Sequence, residues 1–308
     1  MKKAITLFFI GLMVFVFDTK IFNDTIFNIY YKYINNDNVK IISNENLLKE
    51  NQYHNNINSN YIKETDDLLV KNKNDLYNVY FTAVNRGYDN LTFYCDKNYK
   101  TCMDDINKLD EENSSFSYIN QLVKVFNSYS TIESTYFNGR VDIKINKKYS
   151  DNDIKKINNE LNKIIEELHI NDYDDVKEKI KVFHDYIADT NTYDNDKVDN
   201  NDNTYHSDTA IGTLFEGKSI CSGYTDTMSL FLDKLNILNT RVATKDHVWN
   251  ALYNNGKWLH IDLTWDDPVT SSNSNIIQYN YFMIDTDELN RIDNEGHNYN
   301  KEIYDFIN

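Results

Sequence analysis

The sequence predicts an α+β protein with two unequal folded parts, residues 63–169 and 170–308. Three observations predict it. Apolar residues recur at helical spacing in three separate stretches, 154–168, 176–187 and 221–235. Two further stretches, 132–145 and 247–264, carry strand-like patterns on either side of turns at Asn138-Gly139 and Asn254-Asn255-Gly256, and read as antiparallel hairpins. Finally, 41% of the 308 residues are apolar, with 24 Tyr and 16 Phe, which is enough for a real core and argues against global disorder. No internal repeat is visible.

The bulk numbers bound the function. A chain of 308 residues accommodates two modest domains. Its single Pro and eight Gly, among abundant Asn, Ile, Lys, Asp and Tyr, reflect genome bias more than physics and blur the usual turn signals. A net charge of −16 opposes binding to phosphate backbones, so nucleic acid is not an expected partner.

Residues 1–20 read as a signal peptide or membrane anchor. Lys2 and Lys3 precede an apolar run of 14 residues at 4–17, which suits a signal-peptide core and falls short of the roughly 20 residues of a spanning helix. No small-x-small cleavage site follows, so a retained anchor and an unusually cleaved signal both stay open. Residues 21–62 are expected to be a flexible linker, polar, Asn-rich and aperiodic from 35 onward. Export also suits the cysteines. Six residues separate Cys95 from Cys102, a spacing that fits a disulfide across a tight turn, although two free thiols are the alternative. Cys221 is left over, and an unpaired cysteine in an exported protein is a candidate reactive thiol.

Within 63–169, residues 77–84 and 91–94 read as strands around a turn at Gly87. Phe116, Ile119, Leu122, Val123 and Phe126 follow at helical spacing, and the Asn138-Gly139 hairpin comes next. Ser150 with Asp153 resembles a capping box, opening a helix whose apolar face is Ile154, Ile157, Leu161, Ile164, Ile165 and Leu168. This part shows no catalytic constellation and is expected to bind or to space. From 170 onward, Val176, Ile180, Phe183 and Ile187 mark a helix ending near Thr190, and 191–208 read as a long Asn/Asp-rich loop. A helix then begins at Cys221, burying Tyr224, Met228, Phe231, Leu232 and Leu235. Strands at 247–253 and 257–264 complete the pattern.

Cys221 sits where a helix begins. The helix N-terminus carries partial positive charge and unsatisfied N–H groups, which favour a thiolate and can hold a developing oxyanion. An inert buried cysteine is the plain alternative. The hairpin favours the first reading. With a short loop around 254–256, His247 falls opposite or diagonal to a residue between Asp262 and Thr264. His260 and Asp262 share one strand face; Leu259, Ile261 and Leu263 share the other and read as core. A carboxylate on one ring nitrogen fixes the tautomer and leaves the other nitrogen for the thiol, the general logic of cysteine acyl-transfer sites.

Three ordered blocks carry a family resemblance: Gly217-Lys-Ser-Ile-Cys221-Ser-Gly-Tyr-Thr225, His247-Val-Trp-Asn250, and His260-Ile-Asp-Leu-Thr-Trp-Asp-Asp-Pro268. Upstream, Phe183-His-Asp-Tyr-Ile187 and Thr192-Tyr-Asp194 add a fourth. Together, over about residues 171–285, they resemble the transglutaminase-like superfamily. The resemblance implies a papain-like α+β core, in which a cysteine helix packs on an antiparallel sheet. It implies Cys221 as nucleophile, His247 as general base and acid, and Asp262 as orienter. Trp249, Trp265 and Asp266 match positions near the cleft and are the substrate-binding candidates, with a core role for Trp265 equally open. An oxyanion donor beyond the cysteine's own backbone is not identifiable.

The expected activity is acyl transfer through a thioester on an extracellular protein or peptide: cross-linking, deamidation or peptide hydrolysis. A silent binding module on the same fold is the alternative. Cys221, His247, His260 and Asp262 also have zinc-ligand chemistry, but no paired ligand spacing supports a metal. No cofactor is expected, and the Asp/Asn run at 194–203 lacks the glycine and final Glu of an EF-hand loop. His184 is expected to pack within its helix and His169 to end one. His54, His206 and His297 lie in polar stretches and are expected to be solvated.

Overall fold

The computed structural model describes residues 50–57, 59–110, 115–267, 277–293 and 295–307. The expected signal or anchor at 1–20, most of the linker, and Pro268 lie outside the described residues. Among the described residues, no helix is long and apolar enough to cross a membrane.

The first part opens with β1 (Leu69–Val70) and α1 (Lys73–Asn85), followed by β2 (Asn90–Cys95). The strand expected at 77–84 is therefore a helix. Tyr77, Tyr80, Phe81 and Val84 are strand-prone residues, but their i, i+3, i+4, i+7 spacing puts them on one helical face, and all four are buried. Asn72 starts the helix by accepting from the Asp75 N–H at 3.0 Å. Short helices α2 (Cys102–Asn107) and α3 (Ser115–Leu122) follow, then the hairpin β3 (Tyr129–Phe137) and β4 (Arg140–Lys147). The four strands form one sheet in the order β1-β2-β4-β3, with β1 parallel to β2 and the other pairs antiparallel. Cys95 and Cys102 are joined as a disulfide at the end of β2.

Helix α4 (Asp151–Glu167) begins with the expected capping box between Ser150 and Asp153. Helix α5 (Val176–Thr190) follows as expected. The loop at 191–208 is not structureless: β5 (Thr192–Tyr193) pairs in parallel with β6 (Lys218–Ser219), and α6 (Asn195–Asn200) lies between them. The cysteine helix α7 (Cys221–Lys234) leads into β7 (Asn239–Ala243), β8 (Val248–Asn254) and β9 (Lys257–Ile261). Strand β10 (Phe282–Ile284) completes an antiparallel sheet in the order β10-β9-β8-β7. The last strand of the expected pair is shorter than its pattern. It ends at Ile261, because Asp262 caps α8 (Leu263–Asp266), accepting from the Thr264 N–H at 2.9 Å. Helix α9 (Thr286–Ile292) precedes the C-terminal segment.

Two hydrophobic clusters hold the molecule, and neither respects the boundary expected at 169/170. One joins α1, β2, β4 and α3 to Val242, Trp249, Ala251, Tyr299, Ile303 and Tyr304. The other joins α4, α5 and α7 to Leu252, Leu259 and Ile261. The second sheet thus buries one face against the cysteine helix and the other against the C-terminal segment and the first part. Helix α4, counted with the first part in sequence, packs with the second.

Part of the segment expected to be linker packs against the fold. Ile62 is buried in the first core. Asn55 is 5% exposed and donates its amide to the Leu122 carbonyl at 2.9 Å, while Asn51 donates to Asn127 at 2.7 Å. Composition misleads here because asparagine amides, which look solvating in a sequence, satisfy buried backbone groups in the fold.

Candidate active site

Register brings the site together. Strands β8 and β9 pair Asn250 with Ile261 and Ala251 with His260, which continues to Trp249 opposite Asp262 and puts His247 one diagonal step away. The alternate face carries Asn250, whose amide donates to the Thr225 carbonyl in α7 at 3.0 Å. So the cysteine helix packs on one face of the sheet. His247 and Asp262 leave the strand ends on the other.

His247 Nε2 lies 2.5 Å from Asp262 Oδ2. Burial works against a charged ring there, but the Asp262 carboxylate and then the Cys221 side chain, as hydrogen-bond partner and charge, outweigh it and lift His247 to about 10. Since Nε2 faces Asp262, Nδ1 is the nitrogen left for the thiol. Burial would raise Asp262, yet the charge and hydrogen bonds of His247, with further contributions from His297, hold it well below the usual carboxylate range. Cys221 is the first residue of α7, half-buried and unpaired. Ile220 before it supplies no side-chain cap, so no side chain of that residue competes for the first-turn N–H groups.

The first turn of α7 is shaped by the loop that crosses it. Ile220 donates its N–H to the Ser207 carbonyl at 2.8 Å, and the Ser222 hydroxyl donates to the Asp208 carbonyl at 3.0 Å. A Cβ on Gly223 would lie 2.2 Å from the Ser207 carbonyl oxygen. Only glycine lets the loop lie this close. Beyond this turn, Tyr224 donates to Asp267 at 2.6 Å and ties the helix to the segment following Asp262.

The three substrate-binding candidates separate. Trp265 is 40% exposed, with its ring 5.8 Å from that of His247, and stands at the mouth of the site. Trp249 is 1% exposed, and its indole N–H donates to His260 Nδ1 at 3.0 Å, so it forms an internal wall beneath His247. Asp266 is also fully buried. It accepts from the Tyr281 N–H at 3.0 Å and faces His184 Nε2 at 3.3 Å, with burial raising its carboxyl above the ordinary range. Neither Trp249 nor Asp266 reaches the surface to meet a substrate. Both had matched by position in the chain, which says nothing of which way a side chain points.

His297 is the residue that sequence reasoning missed. Expected in solvent, it is 2% exposed, with Nε2 2.8 Å from Asp262 Oδ2 and Nδ1 2.6 Å from Asp293 Oδ2. Its only sequence signal is Asp293 four residues before it, too common a spacing to single out. His54 is also more enclosed than expected, with Nε2 2.9 Å from Glu64. His206 is solvated as expected, its side chain 68% exposed.

His247, Asp262 and His297 each offer an atom of metal-ligand type, all within 4.8 Å of one another. Those atoms already hydrogen-bond within the set, so the cluster is a closed proton-sharing network as it stands. His260, the fourth ligand type suggested by sequence, is turned away, with Nε2 3.1 Å from the Thr286 hydroxyl. Burial, with the His297 charge next, lowers His260 to about 4, a neutral ring suited to accepting the Trp249 N–H.

Fold and site together define a mixed helix-and-sheet protein with a cysteine, histidine and carboxylate gathered at one end of a sheet. No family model matches the chain, and no curated protein does. Two solved structures are similar over part of it. One is described as a TGase, 17% identical with a TM-score of 0.35, the match covering 44% of this chain and 45% of that one. The other is described as a candidate cysteine protease from Cytophaga hutchinsonii, 16% identical with a TM-score of 0.28, covering 44% of this chain and 61% of that one. The chain thus spans less than two thirds of either. What the site can do rests on its own geometry.

Proposed function

We propose that this protein is an exported cysteine acyl-transfer enzyme of transglutaminase-like type, acting on protein or peptide substrates at the cell surface. The observation that carries the reading is a histidine held by a buried carboxylate at 2.5 Å, its charged form favoured further by a half-buried cysteine at a helix start. The Cys221 sulfur attacks a carboxamide or peptide carbonyl carbon, while the first-turn N–H groups of α7 receive the developing oxyanion. His247, charged at neutral pH, gives its proton to the departing amine as the C–N bond breaks and a thioester remains. An incoming amine or water then loses a proton to His247 and attacks the thioester, and sulfur leaves. An amine acceptor yields a cross-link; water yields deamidation or hydrolysis. Water exclusion at the mouth, where Trp265 stands, governs that choice.

Export is proposed from Lys2, Lys3 and the apolar run behind them, with support from the Cys95–Cys102 disulfide, a bond that persists in oxidising compartments.

The test is alkylation. Iodoacetamide should modify Cys221 rapidly at pH 6–7, and His247→Ala should slow it by about two orders of magnitude, in the range of a lost acid–base partner. Equal rates in the two proteins would end the enzymatic reading and leave a binding module. Incubation with a lysine-analogue amine and a glutamine-containing protein then separates transferase from hydrolase.

A further inference from the structure

The network around Asp262 contains one more member than a cysteine–histidine–carboxylate site needs. We propose that His297 is a positioning residue of this site, holding the same Asp262 oxygen that faces His247. The inference rests on the reading of Cys221, His247 and Asp262 as the reacting set.

Asp262 has a divided task. Its Oδ1 accepts from the N–H groups of Thr264 and Trp265 at 2.9 and 3.3 Å, capping α8. Its Oδ2 faces both histidines, at 2.5 Å from His247 and 2.8 Å from His297. A buried carboxylate oxygen with two donors is fixed against rotation and fully satisfied, whereas one with a single donor keeps an unpaired site in a dry environment. His297 is itself fixed. Asp293 Oδ2 takes its Nδ1 at 2.6 Å, and Asp293 Oδ1 accepts from the N–H groups of Glu295 and Gly296, both at 3.0 Å. Packing completes the clamp: the His297 ring stacks on Tyr281 at 4.8 Å and meets the edges of Trp249 and Trp265 at 4.7 and 4.8 Å. A Cβ on Gly296 would lie 2.7 Å from both the Trp265 ring and Asp293 Oδ2, so the turn carrying His297 lies close under that ring. The C-terminal segment is therefore built to deliver a second imidazole to Asp262. This ring is 2% exposed, and its Nε2 is directed at the Asp262 carboxylate. It acts through Asp262.

The experiment uses the full chain, labelled with 15N-histidine, as wild type, His297→Phe, His297→Gln and Asp293→Asn. Two readouts are followed: the His247 ring N–H resonance, and the rate of iodoacetamide alkylation across pH. The groups facing His297 that enter such a profile are His247, Asp262, His260, Asp293 and Tyr281. Phe keeps the ring and loses both hydrogen bonds, so the His247 resonance should move. Alkylation at pH 6 should fall on the order of tenfold, as expected for one charge-assisted bond. Gln retains a donor near Nε2 and should restore both towards wild type, which a purely space-filling role would not predict. Asp293→Asn, which keeps the ring but replaces its charged partner with a neutral amide, should move the resonance in the same direction as Phe. It carries the test with Gln if the Phe variant does not fold. An unmoved His247 resonance in folded Phe or Asn variants overturns the proposal. If wild-type alkylation proves insensitive to His247→Ala, the acyl-transfer reading falls, while the resonance comparison still decides the role of His297.

Discussion

At the scale of single residues, the site depends on positions whose chemistry is set by what lies against them. Asp262 looked like one member of a triad in sequence. In the fold its two oxygens serve different masters, a helix N-terminus and a pair of imidazoles. The His247–Asp262 contact was legible because a short hairpin brings the two together, and the helix start at Cys221 was legible from its apolar spacing. His297 was not legible, since its segment reaches Asp262 from 35 residues away along the chain. Gly223 offers a prediction at this scale. Gly223→Ala forces a methyl onto the Ser207 carbonyl, a backbone atom that moves only with its loop. The expected loss is about 1–3 kcal/mol, the usual range for overpacking, with slower Cys221 alkylation. Urea unfolding and the alkylation rate check it together, and an Ala variant equal to wild type in both would show that the loop yields freely.

At the scale of elements, the cysteine helix is anchored by a buried charge that sequence reasoning did not single out. Asp226 is 1% exposed in α7, between Thr225 and Thr227. It accepts from Arg241 Nη1 in β7 at 2.6 Å, from Lys148 after β4 at 2.8 Å and from the Tyr149 hydroxyl at 2.7 Å. Burial pulls its pKa upward, but Lys148 and Arg241 prevail and hold it below the ordinary range. Arg241 also reaches Val123 and Ser128, so one ion cluster fixes α7 against both sheets. Asp226→Asn strands buried cations and should destabilise by about 3–5 kcal/mol, whereas the Asp226→Leu, Arg241→Met pair should be milder. Chemical denaturation of the three proteins decides; a single variant no worse than the double would refute the clamp. The helix at Lys73–Asn85 shows the converse failure of sequence reading. Its aromatic residues favour strands by propensity, and their spacing, which the tertiary core enforces, wins.

At the scale of the whole molecule, the charge network couples stability to pH. His247 is raised from 6.5 to about 10, so its contribution is complete below about pH 6.5 and is lost as pH climbs through about 10. Thermal unfolding of wild type against His247→Gln should show the difference in midpoint shrinking across that window. Parallel curves from pH 6 to 10 would contradict the pairing. Both hydrophobic clusters draw residues from either side of position 170. The sheet that carries the site is buried on both faces by segments distant in sequence, and the C-terminal residues return to the first core.

By itself the chain's pattern determined the mixed helix-and-sheet class, both hairpins, the capped helix at 151–167 and the contact of His247 with Asp262. Each of these follows from interactions within a few residues, or across one short turn. Tertiary structure alone decided that Asn55, Ser59 and Ile62 are buried, that Trp249 and Asp266 face inward, and that His297 and Asp226 pack where they do. Those outcomes depend on which distant surfaces meet. Burial of a polar side chain is settled by its partner, and a linear pattern does not name partners.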